Sequence, residues 1–524
     1  MRERTLFNDG WRFRKEDGTE ERTLNLPHDW GIEGPFDQTF PGETAKLPWW
    51  GVGIYRKRFL SPESDAGRRV FLEIDGAMSH AEIHLNGHFV GAHPYGYASF
   101  HLDLTPYLEV GDENELEVRL DNPEESSRWY PGGGIYRNVW LTKTSPVHIP
   151  HGGVFVTAPT VTEEAATVNV RVEIDEAVSL ATAIYDGENP VAFASAEGAR
   201  GPFNLRLKVE SPRLWSAESP HLYRAVTVVK KNDEIVDRVE TAFGIRELRF
   251  DAETGLSVNG KPAYLKGVCL HHDLGALGAA FNLRAQERQL QILKEMGCNA
   301  IRTAHNPPAT ELLDLCDRMG FYVIDEFSDT WRVAKKPNGY AKLFDEWHER
   351  DLRGMIRRDR NHPCVILWST GNEVPEQTED LEVSRRLTAI AHDEDPSRLV
   401  TTGNDRPDSA TDGFAETIDV FGFNYKPHLY GPFREKYPSI PLYGSETSST
   451  ISSRGEYFFP VSEKLEDSMA DFQLSSYDTA APFWATTPDR EFRGQDENPS
   501  VFGEFVWTGF DYLGEPSPYT TDTT

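Results

Sequence analysis

Apolar and polar residues alternate with a period of two through most of the first 246 positions. RRVFLEIDG (68–76), HAEIHLNGHFVG (80–91) and NELEVRL (114–120) each place every second side chain on one face, the pattern of a half-buried strand. Asn86-Gly87 sits in the middle of the second segment. Both residues tolerate positive φ, so the pair predicts a two-residue type I′ hairpin. No segment of helical period interrupts as far as about residue 145, and a jelly-roll β-sandwich is predicted for 1–145. ATVNVRVEI, FNLRLKV and YRAVTVV continue the alternation, with Asp186-Gly187 as a turn. Residues 146–246 are therefore predicted to form an immunoglobulin-like sandwich.

After residue 247 the period changes. A hairpin at Asn259-Gly260 leads into AYLKGVCLHH, and strand-like and helix-like segments then alternate. Helices are predicted over RAQERQLQILKEMG, ATELLDLCDRMG, LFDEWHERDLRGMIRRDR and EDLEVSRRLTAIAHD. Strands are predicted at NAIRTAH, FYVIDEF, CVILWS, RLVTT, DVFGFNY, PLYGSE and GEFVWTGF. With AYLKGVCLHH that makes eight strands, so 247–524 reads as a (β/α)8 TIM barrel, a fold that places its chemistry at strand C-terminal ends. The last strand ends near residue 508 of 524, so the barrel is expected to lack its last helix.

Composition narrows the function classes. A chain with 26% charged and 11% aromatic residues can build packed cores, and 524 residues fit about three domains. The net charge of −30 argues against nucleic acid and anionic membrane as partners, and is also compatible with a protein hydrated in concentrated salt. Apolar runs such as Val365–Trp368 are too short to span a bilayer, and MRERTLFNDGWRF has no apolar leader; a cytoplasmic location is expected. Cys269, Cys298, Cys316 and Cys364 all lie in the last domain, which predicts buried thiols and no disulfide framework.

The chemistry concentrates in NHPCVILWSTGNE (361–373), where a strand delivers Asn372 and Glu373 to the barrel mouth, and in PLYGSETSST, where Glu446 ends another strand. Two carboxyls facing one cavity are what glycoside hydrolysis needs: one protonates the leaving oxygen and the other attacks the anomeric carbon, with retention if they sit about 5–5.5 Å apart. Two other classes compete. His271, His272, Asp273 and His305 could hold a catalytic metal, although neighbours on a strand point opposite ways. The missing last helix alternatively fits a non-catalytic sugar-binding protein, or half of a split enzyme completed by a second polypeptide.

NHP followed by WSTGNE resembles the acid/base signature of glycoside hydrolase family 2. SRWYPGGGIYRNVWL, FGIRELRF, NGKPAYLKGVCLHHD, NAIRTAHNP, GFYVIDEF and GEFVWTGFDYLGEP extend that resemblance over essentially the full length. The resemblance implies Glu373 as acid/base and Glu446 as nucleophile. It implies Asn372 as the contact to the sugar 2-hydroxyl and Tyr425 as the hydrogen-bond donor to the nucleophile. His271 and His305 would bind sugar hydroxyls, with Trp507 as the aromatic floor. Large β-galactosidases of the family place Mg²⁺ beside the acid/base. Here Asp329 in DEFSDTW is the one candidate ligand and Trp331 stands where a histidine is expected, so no cofactor is required. Ser449 likewise replaces a histidine after the nucleophile. The expected substrate is a small or oligosaccharide β-galactoside, with β-glucuronidase as the alternative activity and a homo-oligomer as the assembly. Trp49, Trp50, Trp331 and Trp484 are candidates for the aglycone side of the site, with interdomain packing the competing role, favoured for Trp49 and Trp50.

Overall fold

The computed structural model describes residues 1–462, 464, 467, 469–470 and 473–514. The N-terminal region is a two-layer antiparallel sandwich. One sheet runs in the order Glu3–Leu6, Val139–Thr144, Arg69–Ile74, Phe100–Asp103. The other runs Arg22–Leu24, Trp11–Lys15, Gly51–Leu60, Glu113–Asn122, Ala81–Leu85, His88–His93. Alternation explains the layers: Val70, Leu72 and Ile74 of one sheet face Leu116, Val118 and Leu120 of the other in a shared core. Asn86 and Gly87 have φ of 52° and 79°, and the hairpin closes with Leu85 opposite His88.

The next region forms a five-stranded antiparallel assembly. Its two 22-residue strands, Ala165–Asp186 and Asn189–Glu210, pair with each other, and their register breaks between Ile174 and Val178. Before the break the first strand pairs with Val154–Val161; after it, with Tyr223–Lys231. One bent strand thus serves both layers of the immunoglobulin-like sandwich. The sandwich docks under the barrel. Asn361 accepts from Val156 N and donates to Val154 O, and Trp215 Nε1 donates to Asp317 O.

Eight parallel strands close the barrel: β1 Leu265–Leu270, β2 Ala300–Thr303, β3 Tyr322–Glu326, β4 Val365–Asn372, β5 Leu399–Asn404, β6 Val420–Asn424, β7 Leu442–Thr447 and β8 Gly503–Val506. β8 pairs with both β7 and β1, so the ring takes no strand from another chain. Helices α1 (Leu283–Met296), α2 (Thr310–Met319), α3 (Ala341–Asp359) and α4 (Leu381–Glu394) follow β1 to β4. Short α5 (Tyr430–Lys436) precedes β7 and α6 (Pro488–Glu497) precedes β8. Each of α1 and α2 stops at a left-handed glycine, Gly297 and Gly320. Strand eight is shorter than GEFVWTGF suggested, ending at Val506, and the expectation of a missing last helix concerns a stretch whose residues 515–524 lie outside the described residues. Cys269, Cys316 and Cys364 are buried thiols, Cys298 is half-buried, and no described helix is long and apolar enough to cross a membrane.

The barrel core is continuous with the N-terminal sandwich: Trp49, Tyr95, Tyr97, Trp129 and Tyr136 belong to the same buried cluster as the barrel strands. Arg137 fastens this junction by donating to the carbonyls of Tyr97, Pro307 and Pro308.

Candidate active site

A cavity of about 410 Å³ opens at the C-terminal end of the barrel strands. Glu373, Glu446, Tyr425, His271, His305 and Trp507 all line it. Asn372 does not reach the wall. It lies fully buried beneath, where its amide donates to Asp329 Oδ1 (3.1 Å) and His305 Nε2 (3.3 Å) and accepts from Arg302 and Asn424. For Asn372 to meet a sugar hydroxyl, one of these donor bonds must exchange.

Consecutive residues at the end of β6 hold the two carboxyls. Asn424 Nδ2 donates to Glu373 Oε1 at 3.0 Å, and Tyr425 OH donates to Glu446 Oε2 at 2.6 Å. Arg302, on β2, donates to Glu446 Oε1 at 2.9 Å, and its other nitrogens bind Glu326. The two sites differ in depth: the Glu446 side chain is 4% exposed and that of Glu373 is 21% exposed. Burial pushes Glu446 up to about 7, and the charge of Glu373 adds to the push; Arg302 and Tyr425 oppose it. Glu326 is also pushed up to about 7 by burial against the pull of Arg302. It accepts from Arg302, from Ser369 Oγ (2.6 Å) and from His305 Nδ1 (2.7 Å). With Nδ1 carrying that proton, His305 Nε2 is the acceptor for Asn372. Burial holds both His305 and His271 well below the ordinary imidazole range, so the cavity is lined by neutral rings.

Backbone strain gathers at the same strand ends. Glu373 and Tyr425 have φ of 45° and 58°, and Ser448 and Ser449 follow β7 at 62° and 65°. Left-handed conformations in residues with a Cβ cost about 1–2 kcal/mol each and persist where the surroundings over-determine them.

The aromatic walls divide by depth. Trp507 stacks on His305 with ring planes 7° apart, and Trp484 meets Tyr425 edge-on at 5.0 Å. Trp331 is a different matter. It is fully buried, donates from Nε1 to Thr370 O, and packs so tightly against Gly371 that a Cβ there would lie 2.7 Å from its indole nitrogen. Trp49 is buried and Trp50 packs edge-on against Phe40 and Trp49, so of the four tryptophans outside the motif only Trp484 lines the cavity.

Sequence reasoning missed the contribution of the N-terminal sandwich. Arg128 and Trp129, from SRWYPGGG, enter the cavity wall, joined by Glu43. Arg128 binds Asp329 through two bonds of 2.6 and 2.9 Å and comes within 3.9 Å of Glu373 Oε2. Gly132 permits the approach, since a Cβ there would sit 2.4 Å from that of Ala279 in the barrel. Asp405, Lys426 and Tyr512 complete the lining. The rival metal set does not converge. His272 turns away to Pro131 O, and Asp273 accepts from backbone amides. Among the described residues the one group of three side chains close enough to share an ion is Asp317, His362 and Cys364, at the opposite end of the barrel, where Asp317 and His362 already pair at 2.6 Å.

Three family models match in chain order: the glycosyl hydrolase family 2 galactose-binding domain-like region at 37–129, the family's central domain at 147–246, and its TIM barrel domain at 252–437. β-Galactosidase BoGH2A of Bacteroides ovatus is 42% identical over 99% of this chain and 69% of its own length. The chain belongs to glycosyl hydrolase family 2. A putative β-glucuronidase of Formosa agariphila is 33% identical over 98% of the chain and 52% of its own length. The crystal structure of a family 2 member from Bacteroides cellulosilyticus superposes with a TM-score of 0.87 at 34% identity, covering 97% of this chain and 65% of that one. The chain therefore spans about half to two thirds of these relatives, and a glycoside hydrolase fold is what they share across it.

Proposed function

We propose that this family 2 chain is a retaining exo-β-glycosidase acting on terminal β-D-galactosides, with Glu446 as nucleophile and Glu373 as acid/base. One observation carries the reading: two carboxyls face a single cavity of sugar size, one deep and clamped by Arg302 and Tyr425, the other shallower and nearer the mouth. The deep group suits attack on the anomeric carbon of an enclosed ring, because its lone pairs are aimed by two fixed donors. The shallower group suits protonation of an oxygen leaving toward solvent, and then activation of the water that follows. Trp507 and Trp129 line the cavity with apolar ring surface, His271 offers a neutral ring nitrogen to a sugar hydroxyl, and His305 can do so through Nε2 once the Asn372 amide releases it.

The choice of sugar rests on charge. The cavity carries Asp405 besides the catalytic pair, Glu43 on its wall is paired with Lys336, and Arg128 is committed to Asp329. A neutral hexose enters such a field more easily than a uronate, which favours a galactoside, as does the name of the Bacteroides ovatus relative. Lys426 is the wall cation that would serve the glucuronide reading, and several relatives are named β-glucuronidases. A panel of p-nitrophenyl β-galactoside, β-glucuronide and β-mannoside separates them. The expected result is highest kcat/KM on the galactoside with the β-anomer as first product by NMR; a tenfold preference for the glucuronide would overturn the choice, and an α-anomer the retention.

Asp329 does not fit a divalent ion. Its Oδ1 accepts from Arg128, Lys335 and Asn372, its Oδ2 accepts from Arg128, and no imidazole stands at Trp331. Against burial, Arg128 and then Lys335 hold its carboxyl far below the usual range. Extra positive charge there would be repelled by both side chains. Activity is accordingly expected to survive dialysis against EDTA within about twofold; loss restored by Mg²⁺ would reject this.

A further inference from the structure

Lys335 lies in the loop between β3 and α3, in the run VAKKPNGY, where a lysine would ordinarily point to water. Instead its ammonium is enclosed, donating to Asp329 Oδ1 at 2.8 Å and to the Asn372 carbonyl at 2.7 Å. That carbonyl belongs to the peptide joining Asn372 to Glu373. The N–H of the same peptide donates to Gly403 O at 2.8 Å. The peptide plane is therefore gripped on both edges, from the β3–α3 loop on one side and from β5 on the other. Rotation of this plane is what changes φ of Glu373, which stands at 45°, in the region an L-residue avoids. An unstrained alternative exists for Glu373, and something outside the residue must exclude it.

We propose that Lys335 is a positioning residue for the acid/base, holding the Asn372–Glu373 peptide in the orientation that keeps Glu373 left-handed and aimed at the leaving-group oxygen. Asp329 fixes the ammonium, and Arg128 fixes Asp329 from the N-terminal sandwich, so the aim of a barrel carboxyl is set by a chain running Arg128, Asp329, Lys335, Asn372 carbonyl. A methionine at 335 leaves Asp329 still paired with Arg128 and removes the donor that grips the peptide.

This rests on reading Glu373 as the acid/base, and the test separates the two. Lys335→Met and Glu373→Gln are assayed in parallel on 2,4-dinitrophenyl β-galactoside, whose leaving group needs little protonation, and on an alkyl β-galactoside, which needs it fully. Lys335→Met is expected to lose on the order of 10- to 100-fold in kcat/KM on the alkyl substrate and less than about threefold on the activated one. Lys335→Arg, which keeps a donor at the carbonyl, is expected to recover most of the loss, and guards against a Met variant that folds poorly. Equal losses on both substrates, or none, while Glu373→Gln remains selective, would overturn the positioning role alone. No selectivity in Glu373→Gln would overturn the acid/base assignment and the positioning role together.

Discussion

Glu446→Gln is expected to lower kcat/KM by at least about four orders of magnitude, on the order of 5.5 kcal/mol of transition-state stabilisation, on activated and unactivated substrates alike. The amide cannot form the glycosyl ester, and although Glu326 shares Arg302, no other described carboxyl accepts from both Arg302 and Tyr425. The substitution is nearly isosteric, so Gln still accepts from Arg302. Residual turnover above about one per cent would move the nucleophile elsewhere. The same residue sets an acid limb in the wild type. Burial first, and Glu373 second, push its pKa up to about 7, and attack needs the ionised form. kcat/KM should therefore fall as pH is lowered through about 7. Stability runs the other way. A carboxyl with a folded pKa raised above its unfolded value favours the fold in its protonated form. That contribution is present at low pH and fades as pH rises from about 4.5 toward 7. Glu446→Gln escapes the fade, so its Tm should gain on the wild type across that interval; a constant difference from pH 4.5 to 8 would contradict the raised value.

Glu373→Gln carries the second large effect, and its signature is selectivity. General acid catalysis is worth roughly 10²- to 10⁴-fold, so alkyl β-galactosides should suffer losses in that range while dinitrophenyl substrates lose little in the glycosylation step. Deglycosylation still needs a base, so kcat on the activated substrate should fall with KM, and a small anion such as azide should restore kcat by attacking the glycosyl-enzyme directly. Uniform loss on all substrates without azide rescue would deny Glu373 the role.

The layered architecture was legible because each layer writes its own period. Strands of the sandwiches alternate about one buried face, and Asn86-Gly87, Asp186-Gly187 and Asn259-Gly260 mark turns that need positive φ. The barrel carboxyls were legible because a strand end is a local feature, and Glu373 and Glu446 sit beside runs that are buried at every position. Arg128 and Lys335 were not, because nothing in SRWYPG or VAKKPNG announces that Asp329 will lie between them. That meeting depends on how two domains dock. The depth of an indole was equally hidden: Trp331 and Trp484 look alike in sequence, and only packing against Gly371 puts one inside and leaves the other at the cavity. Helix α5 is too short to show a clear period, and α6, as long as α2, carries one large apolar residue, Phe492, which is exposed.

The seam between β1 and β8 has a consequence for how the molecule comes into being. Leu265 pairs with Gly503, so β1 emerges from the ribosome long before its partner and must wait with one edge unsatisfied. β7, which carries Glu446, borders the same gap from its other side. The sandwich that supplies Arg128 is finished first and can dock on the early strands, shielding part of that exposed wall. Closure then depends on the four residues Gly503–Val506. Phe505 is fully buried in that strand, so a polar substitution there is expected to lower the soluble, closed fraction of the chain.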